Sequence, residues 1–84
     1  MNVARTFGRV LRRLRKQADL TQEQLGFAAE LERNYVSMLE RGQRQPTLTT
    51  VFLLAGALQT TGSHLVNLVE SDLNLTESPG HRHE

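Results

Sequence analysis

The sequence predicts an all-α domain of five helices, and three observations carry that prediction. Apolar residues recur three and four apart along the chain, the spacing of a helix with one buried face. Helix punctuation stands where the rhythm starts and stops: Thr21 with Gln24 forms an S/T-x-x-E/Q capping box, and Gly42 followed by Pro46 ends a helix. The stretch TQEQLGFAAELERNYVSMLERGQRQP, Thr21 to Pro46, reads as two short helices joined by a tight turn.

Length and composition bound the rest. Eighty-four residues make one domain with a modest core. Residues are 38% hydrophobic and only 5% aromatic, so that core is mostly Leu, Val and Ala. The absence of Cys excludes disulfides and thiolate metal sites and is compatible with a reducing cytoplasm, the expected location. No apolar run approaches the ~18 residues of a membrane span. The start, MNVARTFGRVLRRLRK, is too charged for a signal peptide. The formal charge of +1 hides an asymmetry. Residues 1–44 hold nine Arg or Lys against five Asp or Glu, and residues 45–84 hold one against four. A basic half suits a polyanion.

Residues 1–5 read as a short arm, followed by a first helix over Thr6 to Ala18. Phe7, Val10, Leu11, Leu14 and Ala18 make its buried stripe. Arg9, Arg12, Arg13 and Lys16 lie mostly outside it, as a solvated basic surface or as contacts to a nucleic-acid backbone. Arg13 is carried as a backbone candidate. The second helix starts at the Thr21 cap and buries Leu25, Ala28 and Ala29. Gly26 is expected where the paired helices approach closest, because a bulky residue there would push the backbones apart.

The third helix, Arg33 to Arg41, projects at ~100° per residue with Val36 and Leu39 on one side. Arg33, Asn34, Ser37, Met38 and Arg41 fall on the other. Arg can pair bidentately with guanine, Asn with adenine and Ser with several bases, while Met extends the apolar contact a thymine methyl accepts. A helix face turned simply to water is the alternative. Thr47 or Thr49 starts a fourth helix, Leu48 to Leu58, burying Val51, Leu54, Ala55 and Leu58, with Phe52 near the edge. Gly56 is a mild helix defect there, read as room for close packing. Thr60 or Thr61 caps a fifth helix, Gly62 to Glu70. Leu65, Val66, Leu68, Val69 and Leu73 offer more apolar surface than one docked helix needs. Either all of it is core, or Val66, Val69 and Leu73 belong to a two-fold dimer interface. The domain is set at 1–73, and the polar end, 74–84, is expected to be disordered. His81 and His83 in that tail, with His64 elsewhere, lack ligand spacing, so no metal and no cofactor are expected.

The linked motifs L-T-Q-E-Q-L-G, N-Y-V-S-M-L-E-R-G, Q-P-T-L and L-L-A-G-A-L resemble, in that order, the Cro/repressor or XRE-like class of helix-turn-helix DNA-binding domains. That class includes phage repressors and the controller proteins of restriction–modification systems. The resemblance covers about Thr6 to Val69. It implies a five-helix lambda-repressor-like fold, a recognition helix in the major groove and binding to double-stranded DNA as a homodimer at a palindromic operator. It implies base reading by Arg33, Asn34, Ser37 and Met38. It also implies backbone contacts from Gln22, Tyr35, Arg41, Gln43 and Arg44, and a structural pair between Arg15 and Glu40. Two departures stand out. The family has Gly in the turn where this chain has Glu30, which costs ~1 kcal/mol in a left-handed conformation. Glu32 is a poorer helix cap than Ser, Thr or Asp.

A sequence-specific transcription regulator is therefore the first expectation. A partner-binding module on the same fold, antitoxin-like, with DNA binding secondary, is the alternative. The sequence has no nucleophile–base pair, phosphate loop or metal cluster that would point to an enzyme.

Overall fold

The computed structural model describes residues 1–76. Five helices follow in order: α1 Val3–Gln17, α2 Gln22–Ala29, α3 Arg33–Glu40, α4 Leu48–Ala57 and α5 Gly62–Thr76. Among the described residues all regular structure is helical, as the apolar spacing predicts.

Local chemistry fixes the starts. Asn2 caps α1, its Oδ1 accepting from the Arg5 N–H at 2.9 Å, so α1 begins three residues before the predicted Thr6. The capping box at Thr21 is complete: its Oγ1 accepts from Gln24 N–H at 3.0 Å, and Gln24 Oε1 accepts from Thr21 N–H at 2.8 Å. Thr47 and Thr61 cap α4 and α5 in the same manner. Glu32 makes no side-chain cap, so α3 begins without one.

The ends follow one pattern. Asp19, Glu30, Gln59 and Gly42 all take left-handed backbone, at φ of 61°, 60°, 59° and 74°. After each of the first three, the next N–H reaches back to a carbonyl five residues earlier: Leu20 to Arg15, Leu31 to Gly26, Thr60 to Ala55. Gln43 does the same to Met38 after Gly42. These bonds satisfy carbonyls that a helix end leaves open. Glu30 thus occupies the predicted glycine position and accepts its conformation.

The core joins all five helices: Phe7, Val10 and Leu11 of α1, Leu25 and Ala29 of α2, Val36 and Leu39 of α3, Val51, Leu54 and Ala55 of α4, Leu65 and Val69 of α5. α3 packs on α1 and α2, α2 on α4, and α5 on α1 and α4. Gly26 does serve a close approach. A Cβ there would lie 2.6 Å from the Leu31 carbonyl oxygen, so the tight turn needs its absence.

Several expectations are corrected. Ala18 and Ala28, assigned to buried stripes, are exposed. Gly56 has no neighbour within 4 Å of where a Cβ would stand, so close packing does not explain it. α5 continues to Thr76 rather than stopping at Glu70, so residues 74–76 of the expected tail are helical. His81 and His83 lie outside the described residues.

Candidate nucleic-acid interface

Two fully buried residues, Val36 and Leu39, set the rotation of α3. Their stripe faces α1 and α2, so the remaining faces turn outward. Arg33 and Asn34 are exposed in its first turn, and Ser37 and Met38 are half-buried behind them. The four predicted base-reading residues therefore share the outer side of one short helix.

A polar network locks the far end of α3. Arg15 of α1 grips the Glu40 carboxylate in a two-pronged bond, Nε to Oε2 at 2.6 Å and Nη2 to Oε1 at 3.0 Å. Its Nη1 donates to the Leu20 carbonyl at 2.8 Å. The side chains are 11% and 3% exposed, so the pair is largely withdrawn from water. The bond to Glu40 raises the Arg15 pKa above the ordinary guanidinium value, burial opposes it, and the Glu40 charge adds to the rise. A raised pKa leaves this stabilisation complete at every pH below the ordinary value and loses it only above. The predicted structural pair is present.

Gln22 completes the network, its Nε2 donating to Glu40 Oε1 at 3.0 Å. Sequence reasoning gave Gln22 to the nucleic-acid backbone alone. The structure ties it to α3, leaving the second amide hydrogen for an outside acceptor. An open cleft of about 630 Å³ beside it is lined by Arg15, Lys16, Gln22 and Arg33, among others. Lys16 is thus the α1 cation brought beside α2 and α3. Arg13, the one carried forward from the sequence, pairs instead with Asp72 of α5 at 3.3 Å, away from α3. The registers explain the difference. Arg15 faces α3, and Arg13, two residues away and ~200° around, faces elsewhere.

At the other end Arg41, Gln43 and Arg44 are all exposed in and after the last turn of α3. Arg44 lies over the Tyr35 ring, 5.8 Å from its centroid, a cation–π placement. Tyr35 is half-buried and acts as a platform for this loop. Arg41 Nε lies 3.4 Å from the Ser37 carbonyl.

Two features were missed in the sequence. Gly8 lies where α1 crosses the end of α3, and a Cβ there would meet the carbonyl oxygens of Leu39 and Glu40, the latter at 2.5 Å. The signal was a glycine in the middle of an otherwise strong helix. The second is the exposed apolar set. Leu48, Phe52 and Leu53 of α4 and Val66 of α5 are 70%, 62%, 38% and 48% exposed. Val69, expected in a dimer interface, is 6% exposed and belongs to the core, and Leu73 is packed partly against that core. Of the three predicted contact residues only Val66 is substantially free. Among the described residues no group of three His, Asp or Glu side chains could hold a metal ion, and no helix is long and apolar enough to cross a membrane.

An outward polar helix, pinned by a buried ion pair and flanked by cations at both ends, defines a helix-turn-helix domain. The helix-turn-helix family HTH_3 matches residues 11–65, and the chain belongs to it. The family is one of DNA-binding transcriptional regulators and not of enzymes. The HTH-type transcriptional regulator y4dJ of Sinorhizobium fredii is 38% identical over 66 residues, 79% of this chain and 86% of that protein. The control protein C.MunI of a Mycoplasma species is 34% identical over 67 residues, 79% of this chain and 90% of its own length. Among solved structures, the restriction–modification controller protein C.AhdI of Aeromonas hydrophila superposes with a TM-score of 0.72 at 42% identity. That match covers 74% of this chain and 94% of the other.

Proposed function

We propose that the chain is a sequence-specific transcription regulator that binds a palindromic operator as a homodimer, each α3 entering a major groove. The observation that carries this reading is the division of α3. Val36 and Leu39 are fully buried, while Arg33 and Asn34 project from its first turn beside the Lys16–Gln22 cleft. Arg33 and Asn34 read base edges, with Ser37 and Met38 behind them. Lys16, Gln22, Arg41, Gln43 and Arg44 engage phosphates on either side and set the register. Tyr35 supports Arg44. The exposed apolar set of Leu48, Phe52, Leu53 and Val66 supports self-association, with Phe52 at its centre.

Selection of bound sequences from a random duplex pool tests the whole reading, because symmetry, spacing and preference emerge together. The expected product is an inverted repeat with half-sites ~34 Å apart. Arg33→Ala, titrated against single-base variants of that site, is expected to lose ~1–3 kcal/mol and to relax preference at one base pair per half-site. An equal loss on every sequence would make Arg33 a phosphate contact, and a pool with no preferred sequence would refute the proposal.

A further inference from the structure

Phe27 is 87% exposed, the most exposed large apolar side chain among the described residues. It stands on α2, whose inner face is already complete with Leu25, Gly26 and Ala29. It borders an open cleft of about 410 Å³ lined by Glu23, Phe27, Leu31, Glu32, Arg33 and Asn34. Glu30 is exposed immediately beyond, in the turn. None of the carboxylates of Glu23, Glu30 and Glu32 has a hydrogen-bond or ion-pair partner among the described residues. Arg33 is the one cation on the cleft.

The surroundings choose the occupant. A duplex edge is disfavoured, because three carboxylates around the ring would face phosphates. A second copy of the same surface would set acid against acid, and the larger apolar set lies on α4 and α5. A protein segment bearing Lys or Arg on either side of one aliphatic or aromatic side chain fits both features. Its apolar group would cover Phe27 and Leu31, and its cations would meet Glu23, Glu30 and Glu32.

We infer that the Phe27–Leu31 cleft is a docking site for a basic protein segment presented beside the DNA-bound domain. The inference rests on the regulator reading only for the neighbouring duplex. Arg33 and Asn34 line the same cleft, so the docked segment touches the first turn of α3 and sits at the edge of the groove it reads.

The test uses the full chain, alone and on its selected duplex, panned against a library of short random peptides. Recovered peptides are expected to be enriched in Lys or Arg together with Leu, Ile, Met or Phe. Their binding is expected to fall at least about tenfold in Phe27→Ser and to persist in Phe27→Leu. It should also weaken in the Glu23→Gln, Glu32→Gln double variant and at raised salt. Phe27→Ser is expected to keep its thermal unfolding and its DNA affinity. An empty selection, peptides without cationic bias, or peptides that bind Phe27→Ser unchanged would overturn the inference. Loss of DNA affinity in Phe27→Ser would overturn it by assigning the ring to the duplex, and a shift from dimer to monomer by assigning it to a second copy. Failure of the unsubstituted chain to bind any duplex would count against the regulator reading alone, since the peptide arm is also run without DNA.

Discussion

Gly8 and Gly56 each sit inside a helix and carry the same intrinsic penalty, about 1 kcal/mol relative to Ala. Their surroundings give the penalty opposite meanings. At Gly8 a methyl group would strike two backbone carbonyls of α3, which cannot rotate aside as a side chain can. At Gly56 it would enter open space. Gly8→Ala is therefore expected to destabilise by roughly 2–4 kcal/mol through overpacking. Gly56→Ala is expected to stabilise by about 0.5–1 kcal/mol. Urea titration of both variants checks the pair, and equal signs would show that the α1–α3 crossing is looser than its geometry requires. Glu40 gives a sharper residue-scale case. It accepts three hydrogen bonds, two from Arg15 and one from Gln22, at a site 3% exposed. Glu40→Ala strands a buried guanidinium and is expected to cost about 3–5 kcal/mol. Arg15→Met with Glu40→Leu should recover much of that loss, because no charge is then left without a partner. A double variant no more stable than Glu40→Ala would show that Gln22 and Leu20 alone neutralise Arg15.

At the scale of the element, four helix ends share one left-handed exit, and glycine is used only at Gly42. There the reason is tertiary as well as conformational, because a Cβ would lie 2.9 Å from the Arg5 Cα. Glu30 has no such constraint, is exposed, and takes φ 60° and ψ 39°. Glu30→Gly is expected to stabilise by about 1 kcal/mol, read as a higher urea midpoint at unchanged slope. A lower midpoint would mean that glycine's freedom in the unfolded chain outweighs the strain it removes. This turn was legible in the sequence because its signals are local: Thr21 with Gln24, the spacing of Val36 and Leu39, the position of Glu30. The Arg15–Glu40 pair was legible only through the family's pattern, since nothing in its 25-residue separation announces contact. Helix limits were read less well. Asn2 is a good cap that was passed over, and nothing in Glu70 to Thr76 breaks a helix once Asp72 and Leu73 have neighbours on α1 and in the core. Arg13 and Lys16 have the same chemistry, and only their angle around α1 decides which faces α3. Val66 and Val69 differ in the same way on α5. Such facts belong to packing, which a single helix's periodicity does not contain.

At the scale of the molecule, the question is how two copies of α3 come to lie one turn of duplex apart, ~34 Å. The domain is 42 Å long and 23 by 22 Å across, so two copies side by side span a distance of that order. Side-by-side pairing needs a flank free of the groove-reading face. The exposed set on α4 and α5 is such a flank, since α3 packs on α1 and α2 and α4 does not bear on it. Phe52 covers Gly62 with one side of its ring and leaves the rest to solvent. Phe52→Glu is expected to convert the dimer to monomer in sedimentation at micromolar protein. Because Phe52 is 62% exposed in the isolated domain, its loss should change thermal unfolding of the monomer little. Operator affinity should fall at least about tenfold, because one half-site contact must then hold without the other. Val69→Ala is the control. At 6% exposure it should cost roughly 1 kcal/mol of folding stability while the folded fraction still pairs and binds. If Val69→Ala dissociated the dimer and Phe52→Glu did not, the apolar surplus of α5 would be the interface after all, and α5 would have to shift outward to expose it.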